Sequence, residues 1–257
     1  MMAIKMKPLE IISPLLALAA LLGLWALARP VFNVDPILLP SPGEVARAAL
    51  EHRRELGFAW WRSGLVALSG FGLSLVLGLV LGSLLGLSRW MERIFQPWTV
   101  FLQSVPVVAV APILILWLGP GLPSMIAVSC IVSLFPIVNG TAAGLQRTPK
   151  ERLDLLRVCG ASPLQTWWKL RLPQSAPLIV AGARVSAGLS VVGAIVGEYF
   201  TGTGGRGGGL AQAISNCQQS ADYPLLYAVT ACAALLGFAV YSGTQFCGET
   251  LLRRLGF

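Results

Sequence analysis

Hydrophobic positions in this chain gather into long unbroken runs. Charge-free stretches cover 11–28, 63–88, 94–146 and 223–248, and 176–199 carries only Arg184 and Glu198. A helix that crosses a bilayer takes roughly 20 apolar residues. The 53-residue run at 94–146 therefore reads as two spans, with "GPGLP" at 119–123 supplying the turn between them. The pattern predicts an all-α membrane protein with six transmembrane helices at about 10–28, 63–88, 96–118, 124–146, 176–199 and 223–250.

Punctuation inside and between the runs adds detail. In the second span Gly70, Ser74, Gly78, Gly82 and Gly86 recur every four residues, a spacing that keeps small side chains in line on one helix face and lets another backbone approach. The third span contains Pro97, Pro106 and Pro112. Each removes a backbone donor, so this helix is expected to be bent or broken. Broken helices often line substrate pathways, which makes Pro106 and Pro112 pathway candidates. Ahead of the second span, Ser41, Pro42 and Glu44 form an N-terminal helix signature, and a short amphipathic helix is expected at the outer surface. Between the fifth and sixth spans, Gly202, Gly204 and Gly207 fall in G-x-G-x-x-G order without a surrounding βαβ pattern. A flexible or re-entrant loop is expected there, not a dinucleotide site.

Composition agrees with a bilayer setting: mean hydropathy is +0.73 and only 12% of residues are charged, against about 25% in soluble domains. The net charge of +8 raises the question of which side the basic residues occupy. With the N-terminus inside, segments 1–10, 89–93, 147–175 and 249–257 hold twelve lysines and arginines, and the opposite segments hold six. Both termini are therefore expected in the cytoplasm. The basic start and the "ALA" at 26–28 also fit a cleavable leader; the 18-residue apolar stretch favours a retained helix. Five cysteines without C-x-x-C spacing and the lone His52 argue against a zinc site.

The apolar pattern is interrupted most sharply at 147–175, which holds six basic and two acidic residues. Thr148, Pro149 and Glu151 form a capping-box signature, and Ser162, Pro163 and Gln165 repeat it. Gly160 between them suits a C-cap with positive φ, and Pro173 is expected to stop the second helix. The pattern predicts helix, elbow, helix, stop. Leu164, Trp167, Trp168 and Arg171 share one side of the second helix at i, i+3, i+4, i+7 spacing. Three readings compete. A DNA-binding helix-turn-helix is tied too closely to spans at both ends to enter a groove. An interfacial anchor explains the composition but not the elbow. A short amphipathic helix docked in the groove of a cytoplasmic partner explains both.

The spacing Asp154-Leu155-Leu156, three residues, Gly160, nine residues, Leu170-x-Leu172-Pro173 resembles the EAA loop of ATP-binding cassette importer permeases, E-A-A-x3-G-x9-I-x-L-P. Leu155 and Leu156 stand where the pattern has two alanines. "LLPSP" at 38–42, "GLSRWMERIFQPW" at 86–98, "SVPVVAVAPILILWLG" at 104–119 and "GARVSAGLSVVGAIVGE" at 182–198 look like the nitrate, sulfonate, taurine and bicarbonate group of that superfamily.

The resemblance covers about 35–255. It implies a permease core of five helices plus an N-terminal helix, in the inner membrane. The division would be 1–34 for the N-terminal helix and flank, 35–62 for an outer amphipathic segment, and 63–257 for the core, with a coupling loop at 147–175. It implies that Asp154, Leu155, Leu156, Gly160, Ala161, Ser162, Pro163, Leu172 and Pro173 form the contact with an ATPase. The implied partners are a second copy of this chain, two ATPase subunits, a periplasmic or lipid-anchored solute-binding protein and membrane lipid, with no nucleic acid. ATP and magnesium would sit on the ATPase, since this chain has no G-x-x-x-x-G-K-[ST] and no cofactor or catalytic residue of its own is expected. The implied solute is a small anion.

Arg184 and Glu198 are the two charges inside the fifth expected span, and buried charges there usually face the bundle interior or water. Arg184 suits either an anionic solute or a structural carboxylate partner, and Glu198 either a gate or a surface position. A secondary transporter or channel would share these features without needing an ATPase. An intramembrane enzyme lacks a nucleophile and base pair.

Overall fold

The computed structural model describes residues 8–32, 34–35, 37–202 and 208–257, and among them all regular structure is helical. In chain order the elements are α1 (Pro8–Phe32), α2 (Pro42–Glu51), α3 (Arg53–Leu87), α4 (Arg89–Ser104), α5 (Val107–Leu118), α6 (Leu122–Gln146), α7 (Lys150–Val158), α8 (Pro163–Thr166), α9 (Leu172–Thr201), α10 (Leu210–Ser220) and α11 (Tyr223–Arg254). Among the described residues, four helical stretches are long and apolar enough to cross a bilayer: Arg53–Leu87, Leu122–Gln146, Pro163–Thr201 and Tyr223–Arg254. Shorter apolar stretches, Ala19–Phe32 and Val107–Leu118, occupy the places of the other two expected spans.

The expected third span is two helices. Pro106 separates α4 from α5, with φ −61° and ψ 122°. A proline disfavours helical conformation in the residue before it, and here the backbone departs from the helix at Val105–Pro106. Pro97 and Pro112 lie inside α4 and α5 without ending them. Helix α3 begins ten residues ahead of the charge-free run, because Arg53, Glu55 and Arg62 extend the helix beyond its apolar part.

Three helices form the centre of the bundle, and their contact is nearly backbone to backbone. Gly70, Ser74, Gly78, Gly82 and Gly86 of α3 are all buried. A Cβ on Gly78 would lie 2.6 Å from Ile137, one on Gly82 would lie 2.7 Å from the Val138 carbonyl oxygen, and Gly70 is covered by Ser129. Each step along α3 meets an equal step in the same direction along α6, so these two run parallel. On its other side α6 meets α9 antiparallel: Gly193 packs on Ser129, Gly182 on Pro136 and Gly144 on Ser175. Without a hydrophobic drive between helices in lipid, such close approach supplies dispersion contact and lets polar groups meet. Ser129 Oγ donates to the Ser190 carbonyl at 2.8 Å.

A second core joins α3, α9, α10 and α11 through Leu56, Val66, Val191, Leu210, Val229 and Leu236. Helix α1 stands at the edge. Its Trp25 stacks on Tyr227 and donates to the Pro40 carbonyl, and Arg29 pairs with Glu44 at 3.3 Å, whereas Leu16, Leu21, Leu24 and Leu27 are exposed. The expected cap of α2 is present as a capping box between Ser41 and Glu44. The Ser41 backbone N–H, with Arg29, holds the Glu44 carboxyl below the usual range.

Gly82→Ala is expected to destabilise the chain by about 1–3 kcal/mol, because the added methyl overpacks α3 against α6. Gly72→Ala, which faces open space, should be neutral or stabilising by up to about 1 kcal/mol through helix propensity. Thermal unfolding of both variants in mild detergent checks the contrast.

Candidate functional site

The segment at 147–175 folds as a helix, an elbow and a second helix. Helix α7 ends in a Schellman arrangement: the Ala161 N–H donates to the Leu156 carbonyl and the Gly160 N–H to the Arg157 carbonyl, both at 2.9 Å. Gly160 takes φ +72°, a conformation that costs residues with a Cβ roughly 1–2 kcal/mol. Ser162 then caps α8 by a complete capping box with Gln165. The elbow from Leu156 to Gln165 is thus fixed by backbone bonds on both sides.

Two expectations for this segment are corrected. Thr148 does not cap α7; its hydroxyl turns back and donates to the Leu145 carbonyl at 3.0 Å, serving the end of α6. Pro173 does not stop the second helix. Residues Trp167–Arg171 form a π-helical turn in which the Leu172 N–H reaches the Trp167 carbonyl, and α9 follows at once. A proline ring ordinarily clashes with the carbonyl four residues back; the widened turn just ahead of Pro173 makes room for it.

Asp154 is exposed and pairs with Arg157 at 3.3 Å. Leu155, Val158 and Leu164 are 64%, 87% and 66% exposed, so α7 and α8 present apolar side chains outside the spans. Leu156 and Ala161 are half-buried at the elbow, and Leu172 and Pro173 are half-buried where α9 begins. Trp167 is half-buried, and Trp168 is exposed with its ring edge-on to it at 4.8 Å. An exposed apolar face on a rigid amphipathic loop is a surface shaped for a partner groove.

The four pathway candidates are not brought together. Pro106 lies at the α4–α5 break, beside a cavity of about 360 Å³ whose lining includes Gln103, Val105, Ile131, Phe135 and Leu189. Pro112 is six residues further along, inside α5, and does not line it. Arg184 sits on another face, where its guanidinium donates to Glu249 of α11 at 3.5 Å. Gln245 donates to the same carboxylate at 2.9 Å.

Glu198 lies at the opposite end of the bundle from α7 and is 5% exposed. One carboxylate oxygen accepts from Ser63 Oγ of α3 at 2.8 Å and from the Ala211 N–H at 3.3 Å. Ser63 Oγ in turn accepts from the Leu210 N–H at 2.8 Å. The other carboxylate oxygen is buried and has no partner among the described residues. Gly209 packs directly on the carboxylate, leaving no room for a Cβ. Glu198 and Ser63 together clasp the start of α10 to α3 and α9, filling the role of side-chain cap that Gly209 cannot supply.

Sequence reading missed Ser63, Glu249, Gln103 and helix α10. Only α10 left a signal: Leu210, Ile214 and Cys217 fall at i, i+4, i+7. Gly204 and Gly207 lie outside the described residues.

Ser63→Ala should loosen the clasp by about 1–3 kcal/mol, since it leaves buried polar groups short of partners. Hydrogen exchange should then speed up at the Leu210 and Ala211 amides while the α3–α6 contact stays protected.

Comparison with known proteins fits these features. The family described as binding-protein-dependent transport system inner membrane component matches residues 74–248. A probable ABC transporter permease protein of Haemophilus influenzae is 30% identical, over 90% of this chain and 95% of its own. The formylaminopyrimidine transport permease protein ThiX of Halalkalibacterium halodurans is 31% identical over 95% and 96%. Permease proteins for riboflavin in Chloroflexus aurantiacus, nitrate in Synechocystis and taurine in Escherichia coli are 27–31% identical, over 74–87% of this chain and 72–83% of theirs. Among solved structures, a chain from the MetNI methionine ABC transporter in inward-facing conformations superposes with a TM-score of 0.61 at 20% identity, over 76% of this chain and 93% of that one, and so shares the fold. With a match across most of its helices and relatives along nearly its full length, the chain belongs to the inner membrane components of binding-protein-dependent transport systems.

Proposed function

We propose that this chain is the membrane subunit of an ATP-binding cassette importer and that α7, the Gly160 elbow and α8 couple it to a separate ATPase. The observation that carries the reading is the exposed apolar face of Leu155, Val158 and Leu164 on a loop stiffened at both helix ends. ATP and magnesium belong to the ATPase in this reading. Asp154, Leu155 and Gly160 meet its groove, and Leu172 and Pro173 anchor the loop to α9. Two copies of the chain form the pathway, and a solute-binding protein delivers cargo at the end where Glu198 clasps α10. A cavity of about 810 Å³ there, lined in part by His52, Arg54, Gln212 and Asn216, offers it polar contacts.

The orientation that suits this scheme puts α7 and both termini in the cytoplasm, as the twelve-to-six distribution of basic residues favours. The chain then divides at about 34 and 62 into an N-terminal helix, an outer segment and a core of five spans, making six with α4–α5 counted as one broken crossing. Pro106 opens that crossing. Arg184 serves as a structural tie to Glu249.

The cargo is a small solute. A small anion is one reading, from the nitrate and taurine relatives. A specific observation favours a second: the cavity at the α4–α5 break is walled by valine, leucine, isoleucine, proline and phenylalanine, with Gln103 the one lining side chain among the described residues that carries a polar group. That lining suits an uncharged heteroaromatic ring better than a small anion, and relatives that align over 95% and 87% of this chain are named for formylaminopyrimidine and riboflavin.

Purified from its own host in mild detergent, the full chain is expected to bring down a P-loop ATPase identifiable by mass spectrometry. Leu155→Asp and Gly160→Val should lose it without unfolding the bundle. Solute uptake that persists in the purified chain without an ATPase would instead make it a secondary transporter or channel. Arg184→Gln should leave uptake nearly intact, as expected for a side chain that ties α9 to α11 and touches no solute. Abolished uptake in a folded Arg184→Gln variant would assign it to the pathway.

A further inference from the structure

Where α3 and α6 end beside α7, the chain forms a half-open cavity of about 480 Å³, within the roughly 300–1,000 Å³ of small-ligand sites. Its polar lining is Gln146, Thr148, Lys150, Asp154, Arg157 and Arg171. Internal bonds account for half of these groups: Arg157 donates to Asp154 at 3.3 Å, and Thr148 Oγ1 donates to the Leu145 carbonyl. The other half is unanswered. Among the described residues Lys150 and Arg171 take part in no ion pair, and Gln146 Nε2 is shut off from solvent with no acceptor. Two cations without a counter-ion in one mostly polar cavity call for an oxyanion with several acceptor atoms, and phosphate is the match in charge and geometry.

The position of the cavity selects the source of that phosphate. It lies at the level where two spans end, and Leu164 and Trp168 are exposed nearby on α8 and the π-helical turn. A tryptophan beside basic residues at span ends marks headgroup depth. Basic pockets between membrane helices on the cytoplasmic side suit anionic lipid headgroups. We propose that this cavity holds the phosphate of an anionic phospholipid between Lys150 and Arg171, and that the bound lipid fixes α7 against the ends of α3 and α6. Only the choice of leaflet rests on the orientation proposed above. The site itself needs no ATPase.

The test uses the full chain alone, in detergent supplied with equal amounts of phosphatidylcholine and phosphatidylglycerol, and native mass spectrometry of the lipid that stays bound. Wild-type protein is expected to retain phosphatidylglycerol in preference. The double variant Lys150→Gln, Arg171→Gln should weaken that retention about thirtyfold, at about 1 kcal/mol for each basic residue. The charge-keeping double variant Lys150→Arg, Arg171→Lys should preserve it, as should Arg253→Gln, Arg254→Gln at the exposed end of α11. Equal phosphatidylglycerol retention by wild type and the neutral double variant would overturn the proposal. So would displacement of the lipid by inorganic phosphate, which would give the same residues to a soluble anion. Because ATPase capture plays no part in this measurement, a failed coupling reading and a failed lipid site give separate results.

Discussion

The structure depends on the approach of three backbones. Helix α6 lies between α3 and α9, and both neighbours come close enough that single methyl groups would not fit along much of the contact. A bilayer gives little reward for burying leucine against leucine, since lipid tails are equally apolar. Small residues are the way to gain dispersion contact and to let hydroxyl groups reach a neighbouring backbone. Ser129 does both, covering Gly70 of α3 while donating to the Ser190 carbonyl of α9. The large apolar side chains are left for the outside, where Leu65, Leu68, Val76 and Val80 of α3 are exposed. Inside and outside are thus reversed in side-chain size compared with a water-soluble bundle.

Polar groups within this frame are handled locally. Arg184 is matched across a helix pair by Glu249, and Glu198 is held by Ser63 and a backbone N–H of α10. Both arrangements tie elements that are distant in sequence, so the charges that look most like solute ligands in the sequence also hold helices to one another. The α4–α5 break differs. Its cavity is lined almost wholly by aliphatic and aromatic side chains, and its shape comes from the backbone departing at Pro106.

Much of this was legible in the sequence. The apolar runs located α6, α9 and α11, and the every-fourth-residue stripe identified the buried face of α3, because in lipid small residues on one helix face have few other uses. The Gly160 elbow and the Ser162 cap were readable for a local reason: both depend on residues within one turn of each other. The misreadings have a common origin in neighbours far along the chain or in backbone adaptation. Thr148 carried a cap signature, but the end of α6 is closer competition for its hydroxyl. Pro173 carried a stop signature, but a π-helical turn absorbs it. Ser63 and Glu249 gave no sign of their partners, since nothing in a span's composition reports what lies across the bundle.

The π-helical turn has a mechanical consequence. Because the helix does not stop at Pro173, Pro163–Thr201 is one continuous 39-residue rod, about 58 Å long at 1.5 Å per residue. The elbow sits at one end and the Glu198 carboxylate near the other. Tilting such a rod by about ten degrees would sweep its far tip through about 10 Å, more than enough to part a hydrogen bond of ordinary length. A push delivered beside Ser162 therefore has a lever arm that reaches the opposite surface, where Glu198 grips the start of α10.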